Sequence, residues 1–222
     1  MNPWTEIAPG DGELVRIVDA ALAEAARKAG PWLVCRPGCT PCCIGPFLIN
    51  PLDALRLRQG LVELASADPE RAERVRERAR QSVARISSTF PGDTTTGIVD
   101  ESEEAMEAFA DFAGDEPCPA LDPATGYCDL YAARPMTCRT FGPPVRCHAP
   151  EPLSGGKAAA ESVHQAEGLG VCELCFEGAS AEEIAACEVE VDPDNSEGAL
   201  VDEVERATGA HGNTIVAFAL AF

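Results

Sequence analysis

Four cysteines fall within nine residues at 35-CRPGCTPCC-43, and two of them are adjacent. Thiols this dense are tied to one another, to a metal or to a cluster, and that tie restricts the chain more than local propensity does. Cys35, Cys39 and Cys42 stand at i, i+4 and i+7 and would share one face of an unbroken helix. Pro37, Gly38 and Pro41 interrupt such a helix. The pattern therefore predicts a loop entering a helix, with Thr40 as cap and Pro41 at the first helical position. Cys42 and Cys43 then occupy a helix N-terminus, where the dipole and free N–H groups favour the thiolate. Thiolate is the form that ligates a soft metal. Neighbouring helical residues point roughly 100° apart. The adjacent pair is thus expected to look into two sites, or one of the two to stand behind the other's site.

Composition decides against disulfides. The opening MNPWTEIAPGDGE has no basic segment followed by an apolar one, and no apolar run approaches a membrane span of roughly 18 residues. A cytoplasmic protein with reduced thiols is expected. Eleven cysteines in 222 residues is an odd number, below the density of a disulfide scaffold. The net charge of −20 disfavours a nucleic-acid partner, because a phosphate backbone would be repelled. The acid is concentrated, with fifteen acidic residues against two basic ones over 148–222. It reads as solvation, or as a surface for a basic protein or peptide partner.

Periodicity places helices on both sides of the cysteines. Leu14, Val18, Ala21, Leu22 and Ala25 recur at helical spacing over 11–29, closed by Gly30-Pro31. Asn50-Pro51 and Asp68-Pro69 each read as a cap followed by a first helical residue. The second of these helices has an apolar line of Ala72, Val75, Ala79, Val83, Ile86 and Phe90, and an Arg-rich remainder read as solvated surface. A helix within 101–112 with Met106, Phe109 and Ala110 inward, a weakly patterned arm over 149–170, a short strand near 188–191, and helices at about 197–208 and 213–221 complete the reading. The fold class is mainly α: an irregular helical domain with a short β-hairpin and cysteine-rich metal-binding loops. Residues 1–142 form the helical cysteine-cluster domain, and 143–222 a C-terminal extension packed on it. A βα alternation is absent.

The hairpin supplies further ligands. In 118-CPALDPATGYCDLYAARPMTCRTFG-142 the DPATG segment suits a turn ending on a left-handed Gly126. With that loop Leu121 faces Tyr127, Ala120 faces Cys128, and Cys118 shares a face with Cys128. Cys138 follows after Pro135, with Arg134 and Arg139 placed to offset thiolate charge. A third set comprises Cys147-His148 and 172-CELC-175, whose C-x2-C is half of a zinc knuckle or a redox pair. Cys147 or His148 would join Cys172 and Cys175 in a second metal site. Cys187 reads as a small buried hydrophobe.

Three metal chemistries compete. An iron–sulfur cluster, of the 4Fe–4S type, is supplied by Cys35, Cys39, Cys42, Cys43, Cys118, Cys128 and Cys138. Structural zinc on four thiolates is the alternative, and spacing does not separate the two. The C-x3-C-x2-C spacing of 35–42 also matches radical S-adenosylmethionine enzymes, but those need a βα barrel that this chain does not pattern. CRPGCTPCC together with Cys118, Gly126, Cys128, Tyr131, Arg134, Pro135, Cys138 and Arg139 resembles the YkgJ family of cysteine-cluster proteins, also described as the CxxCxxCC zinc- or iron-chelating domain. The resemblance covers 35 to about 142. It implies a metal- or iron–sulfur-binding domain, a family often labelled Fe–S oxidoreductase, and a related cluster occurs in flagellin lysine methylases. Electron transfer, or cluster-dependent modification of a protein or peptide, is the chemistry such a centre would serve.

Overall fold

A computed structural model describes residues 3–36, 38–146, 169–170, 172, 174–192 and 194–221. The expectations placed on Cys147, His148 and most of 149–170 lie outside the described residues. The first helix, α1 (Trp4–Ala29), begins before the predicted residue 11 and carries Pro9 inside it. Proline there removes an intrahelical N–H. The turn before it is held from outside, because Ile7 is 1% exposed in a cluster with Leu14, Val18, Leu52 and Val204. Gly30 ends the helix as predicted.

Helix α2 (Pro51–Ala67) starts where the Asn50 side chain accepts the Asp53 N–H at 2.9 Å. Helix α3 (Pro69–Ile86) starts where Asp68 accepts the Arg71 N–H at 3.0 Å. Each cap satisfies an N–H that has no partner within its own helix. The predicted apolar line of α3 is inward at Ala72, Val75, Ala79 and Ile86. The last helix, α8 (Val216–Ala221), packs on both α2 and α3 through Ala219 and Leu220. Ala72, Ala79 and Ala219 are fully buried, so the helices close over small side chains. That is how a chain only 5% aromatic builds a core. Most of its aromatic packing is local, where Phe90 meets Phe218 and Phe112 with centroids 4.5 and 5.7 Å apart.

Strands are minor. β1 (Gly92–Asp93) and β2 (Ile98–Val99) form an antiparallel hairpin in what the sequence marks only as a turn-rich stretch. Helices α4 (Glu103–Ala110) and α5 (Met136–Thr140) follow. β3 (Val145–Arg146) is flanked by β4 (Leu169–Gly170), antiparallel, and β5 (Val189–Glu190), parallel. Helix α6 (Ala181–Ala186) precedes β5, and α7 (Ser196–Thr208) packs on α1 and α2. The architecture is mainly α. Among the described residues no helix is long and apolar enough to cross a membrane.

One contact of α2 bears on the site. A Cβ added at Gly60 would lie 2.3 Å from the Ala133 Cβ, so the 131–133 turn rests directly on the helix backbone. Gly60→Ala is expected to cost about 1–3 kcal/mol through overpacking. Alanine is otherwise the better helix former by about 1 kcal/mol, so urea unfolding showing a net gain in stability would refute the close approach.

Candidate metal centre

The CRPGCTPCC segment is held by pairing rather than by a helix. Cys43 C=O accepts the Cys118 N–H at 2.8 Å, Glu116 C=O accepts the Gly45 N–H at 2.8 Å, and Ile44 bridges Pro117 antiparallel. The predicted helix at Pro41 is instead a single 3₁₀ turn, Pro41–Cys43, with extended backbone at Ile44 and no side-chain cap from Thr40. The edge pairing with 116–118 pulls the chain straight before a second turn can form. The expected thiolate-favouring dipole is therefore missing, because a macrodipole needs aligned successive turns. Cys42 is pushed above its ordinary value, first by a hydrogen bond with the Cys43 thiol and then by burial. Cys43 therefore acts directly on the Cys42 thiol, which fits the second of the two expected arrangements, one thiol standing behind the other's site.

The 118–128 loop differs from expectation by one residue. Gly126 takes φ +72 as predicted, but the bridge is Leu121 to Cys128, with Asp129 N–H on Ala120 C=O at 2.7 Å. The Asp122 carboxylate accepts the Ala124 N–H and the Thr125 hydroxyl. Its own N–H still donates to Tyr127 C=O at 2.8 Å, so the loop is 123–126, one residue shorter. Such a slip would reverse the faces of a regular strand. Here a turn closed by Leu121 N–H on Cys118 C=O, 2.9 Å, redirects the chain and returns Cys118 to Cys128. The same turn aims the Ala120 and Leu121 N–H groups at the Cys118 sulfur, and the Leu130 N–H is aimed at Cys128. N–H donors of this kind stabilise a thiolate and tune a bound centre.

Cys138 is set by a buried ionic network. It lies on α5, whose first N–H, on Met136, donates to Asp53 at 2.9 Å. Arg56 pairs with both Asp53 and Asp11, and all three side chains are buried. This ties α5 to α1 and α2. Burial pushes the Cys138 thiol up, and the charges of Cys118, Cys128 and Cys42 push it further. Burial likewise raises Cys118 to about 12, with Cys128 and Cys42 among the repelling neighbours. Cys42, Cys118, Cys128 and Cys138, from four separate segments, thus lie within electrostatic reach of one another, and Cys118 and Cys128 pack against the same core cluster.

Two arginines of α3, read from sequence as solvated surface, clamp this group. Arg71 and Arg78 each donate to Asp129, at 2.5 Å, and Arg78 also donates to Pro119 C=O at 2.8 Å. Asp129 follows Cys128 directly, so the clamp positions a thiol; no local pattern in the sequence marks it. Arg134 lies over the Tyr131 ring, 4.0 Å from its centroid, and its charge lowers the pKa of Cys128. Burial is the larger influence there and leaves Cys128 raised. Arg139 does not serve as the flanking cation expected. Its guanidinium is buried and turned to Asp19 at 3.1 Å and to Ala132 C=O.

A second group gathers at the end of α1. Cys175 and Cys187 are buried with Ala29 and Phe176, and Cys35 and Cys172 pack against them. Cys187 behaves as the buried hydrophobe expected. Burial raises Cys35 to about 11, and the charges of Cys39, Cys175, Cys42 and Cys172 push it the same way. The two groups are therefore adjacent, with Cys42 between them. Among the described residues no three His, Cys, Asp or Glu side chains stand close enough together to hold a metal ion without rearrangement. What the donor set offers is chemistry: soft sulfur ligands, partly buried, with N–H donors already directed at three of them.

The family comparison covers the part of the chain that carries the first group. The model named CxxCxxCC, described as "Putative zinc- or iron-chelating domain", matches residues 34–148. The chain belongs to the CxxCxxCC family. The matched span contains Cys42, Cys118, Cys128 and Cys138, and ends before Cys172 and Cys175. No curated protein and no solved structure matches the chain significantly. Metal binding through the cysteine cluster is thus supported by the family, which leaves iron and zinc both open.

Proposed function

We propose that Cys42, Cys118, Cys128 and Cys138 ligate an iron–sulfur cluster of the 4Fe–4S type in a cytoplasmic electron-transfer or protein-modifying protein. What supports this reading is that four thiols from four segments of the CxxCxxCC domain act on one another electrostatically, three of them largely buried. Each ligand arrives singly, unlike the C-x2–4-C pairs usual in structural zinc sites. A bound cluster would supply a one-electron couple. The chain supplies the rest. The Ala120, Leu121 and Leu130 N–H groups stabilise the thiolates, Arg134 offsets their charge, and Cys43 hydrogen-bonds a ligand. Ile44, Tyr127 and Tyr131 are exposed near the ligands in the chain, and each offers apolar surface to a protein or peptide partner. Such contact brings donor and acceptor together.

Anaerobic purification with elemental and sulfide analysis tests the assignment. Iron with labile sulfide and a broad visible band is expected. A colourless protein holding zinc at these four cysteines would overturn it.

A further inference from the structure

The C-terminal cysteines outside the family match have no part in the centre above. We propose that Cys35, Cys39, Cys172 and Cys175 form a second, separate site for a thiophilic divalent cation of the zinc class, which fastens the C-terminal segment to the end of α1. The four residues come as two pairs, Cys35-x3-Cys39 and Cys172-x2-Cys175. Two C-x2–4-C pairs are the pattern of a structural four-thiolate zinc site. This contrasts with the singly presented ligands of the neighbouring group.

Local geometry sets Cys35, of the first pair, against Cys172 and Cys175 of the second. Each occupies a tight turn, closed by Cys39 N–H on Arg36 C=O at 2.9 Å and by Cys175 N–H on Cys172 C=O at 2.8 Å. Phe176 N–H donates to Trp32 C=O at 3.0 Å and docks the second turn beside the first. The Val34 and Cys35 N–H groups are directed at the Cys175 sulfur, so the chain carrying one pair solvates a ligand of the other. Gly142 backs the site: at φ +125 it leaves room for Cys35, whose Cβ would lie 3.2 Å from any Cβ added there. The apolar support is small, comprising Ala29, Cys175, Phe176 and Cys187 with a few partners. A cluster of that size holds a segment weakly, and a metal would add what it lacks. Closure of the shell then accompanies binding, since metal binding is linked to ordering and to release of the thiol protons.

Cysteine alkylation read by mass spectrometry tests the site in the full chain, with zinc added or removed by chelator. Cys35, Cys39, Cys172 and Cys175 should become protected together on zinc addition. Equal alkylation with and without zinc would overturn the site, whatever the other centre does. A Cys172→Ser/Cys175→Ser variant should then bind one zinc fewer per chain and keep the metal of the Cys118–Cys138 centre. An unchanged zinc content would also overturn the proposal. The converse variant, Cys118→Ser/Cys138→Ser, should lose the first centre and retain the zinc-dependent protection of Cys172 and Cys175. Loss of that protection would show a single shared centre and refute a separate site. Failure of the iron–sulfur reading would instead appear as zinc or no metal at the first group alone.

Discussion

Cys128→Ser is expected to abolish metal at the first centre and to erase the difference in stability between the loaded and metal-free protein. The thiol of Cys128 lies beside Cys118 and Cys138, and its backbone is fixed by the pairing of Asp129 N–H with Ala120 C=O. A serine hydroxyl is a hard, weakly acidic ligand that a soft centre binds poorly. The remaining backbone contacts are untouched, so the metal-free variant should unfold close to the metal-free wild type. Loading should distinguish them. A ligand present at 100 times its dissociation constant stabilises by about 2.7 kcal/mol, and each kcal/mol raises the melting temperature by about 2–4 °C in a chain of this size. The wild type should gain about 5–11 °C on loading and the variant close to none. Full metal content in Cys128→Ser would remove this residue from the ligand set.

The direction of pH dependence follows from the same thiols. Burial raises Cys118 and Cys138, so a metal must displace protons held more firmly than in an exposed cysteine. Occupancy should fall as pH falls. Chelator competition at several pH values would read that slope.

Helix positions were legible because their signals are local. Asn50-Pro51 and Asp68-Pro69 each carry a complete start signal within two residues, and both open helices as read. The α3 apolar line needs only its own period. The failures concern interactions between distant segments. Whether Pro41 starts a helix depends on Ile44 pairing with Pro117, which no window around 35–50 contains. The hairpin register turns on whether the Asp122 N–H remains in the ladder while its side chain starts the turn, and spacing alone does not show that. The α3 arginines follow the same logic: Arg71 and Arg78 look like any polar helix face until Asp129 is placed opposite. The cysteines themselves were conspicuous, but their partition was not. Cys42 stands three residues from Cys39 in the chain, yet its thiol neighbours include Cys118 and Cys138.

Arg56→Met should produce the largest loss of fold stability of the substitutions considered. Among the described residues, Arg56 is the cation paired with both Asp11 and Asp53. Methionine keeps much of the volume and removes the charge, leaving two carboxylates inside a helical interface. Asp53 retains the Met136 N–H, whereas Asp11 loses its ion-pair partner. Breaking a buried pair by deleting one member costs about 3–5 kcal/mol, or roughly 6–20 °C in melting temperature at about 2–4 °C per kcal/mol. The pH profile separates this mechanism from poor packing. Burial already raises Asp53 above the ordinary carboxylate range, with the Arg56 charge opposing it. Without Arg56 the folded value rises further. A raised folded value means that the folded state binds the proton more tightly. The added penalty is then incurred as pH rises through the ordinary range toward that higher value. The deficit of Arg56→Met should therefore be full near neutrality and shrink below the ordinary carboxylate range, where Asp53 is neutral. Urea unfolding across that range would show it, and a pH-independent deficit would mean that lost packing, not the stranded carboxylates, is the cause. Since Asp53 caps the helix bearing Cys138, the same variant should also bind the first metal more weakly.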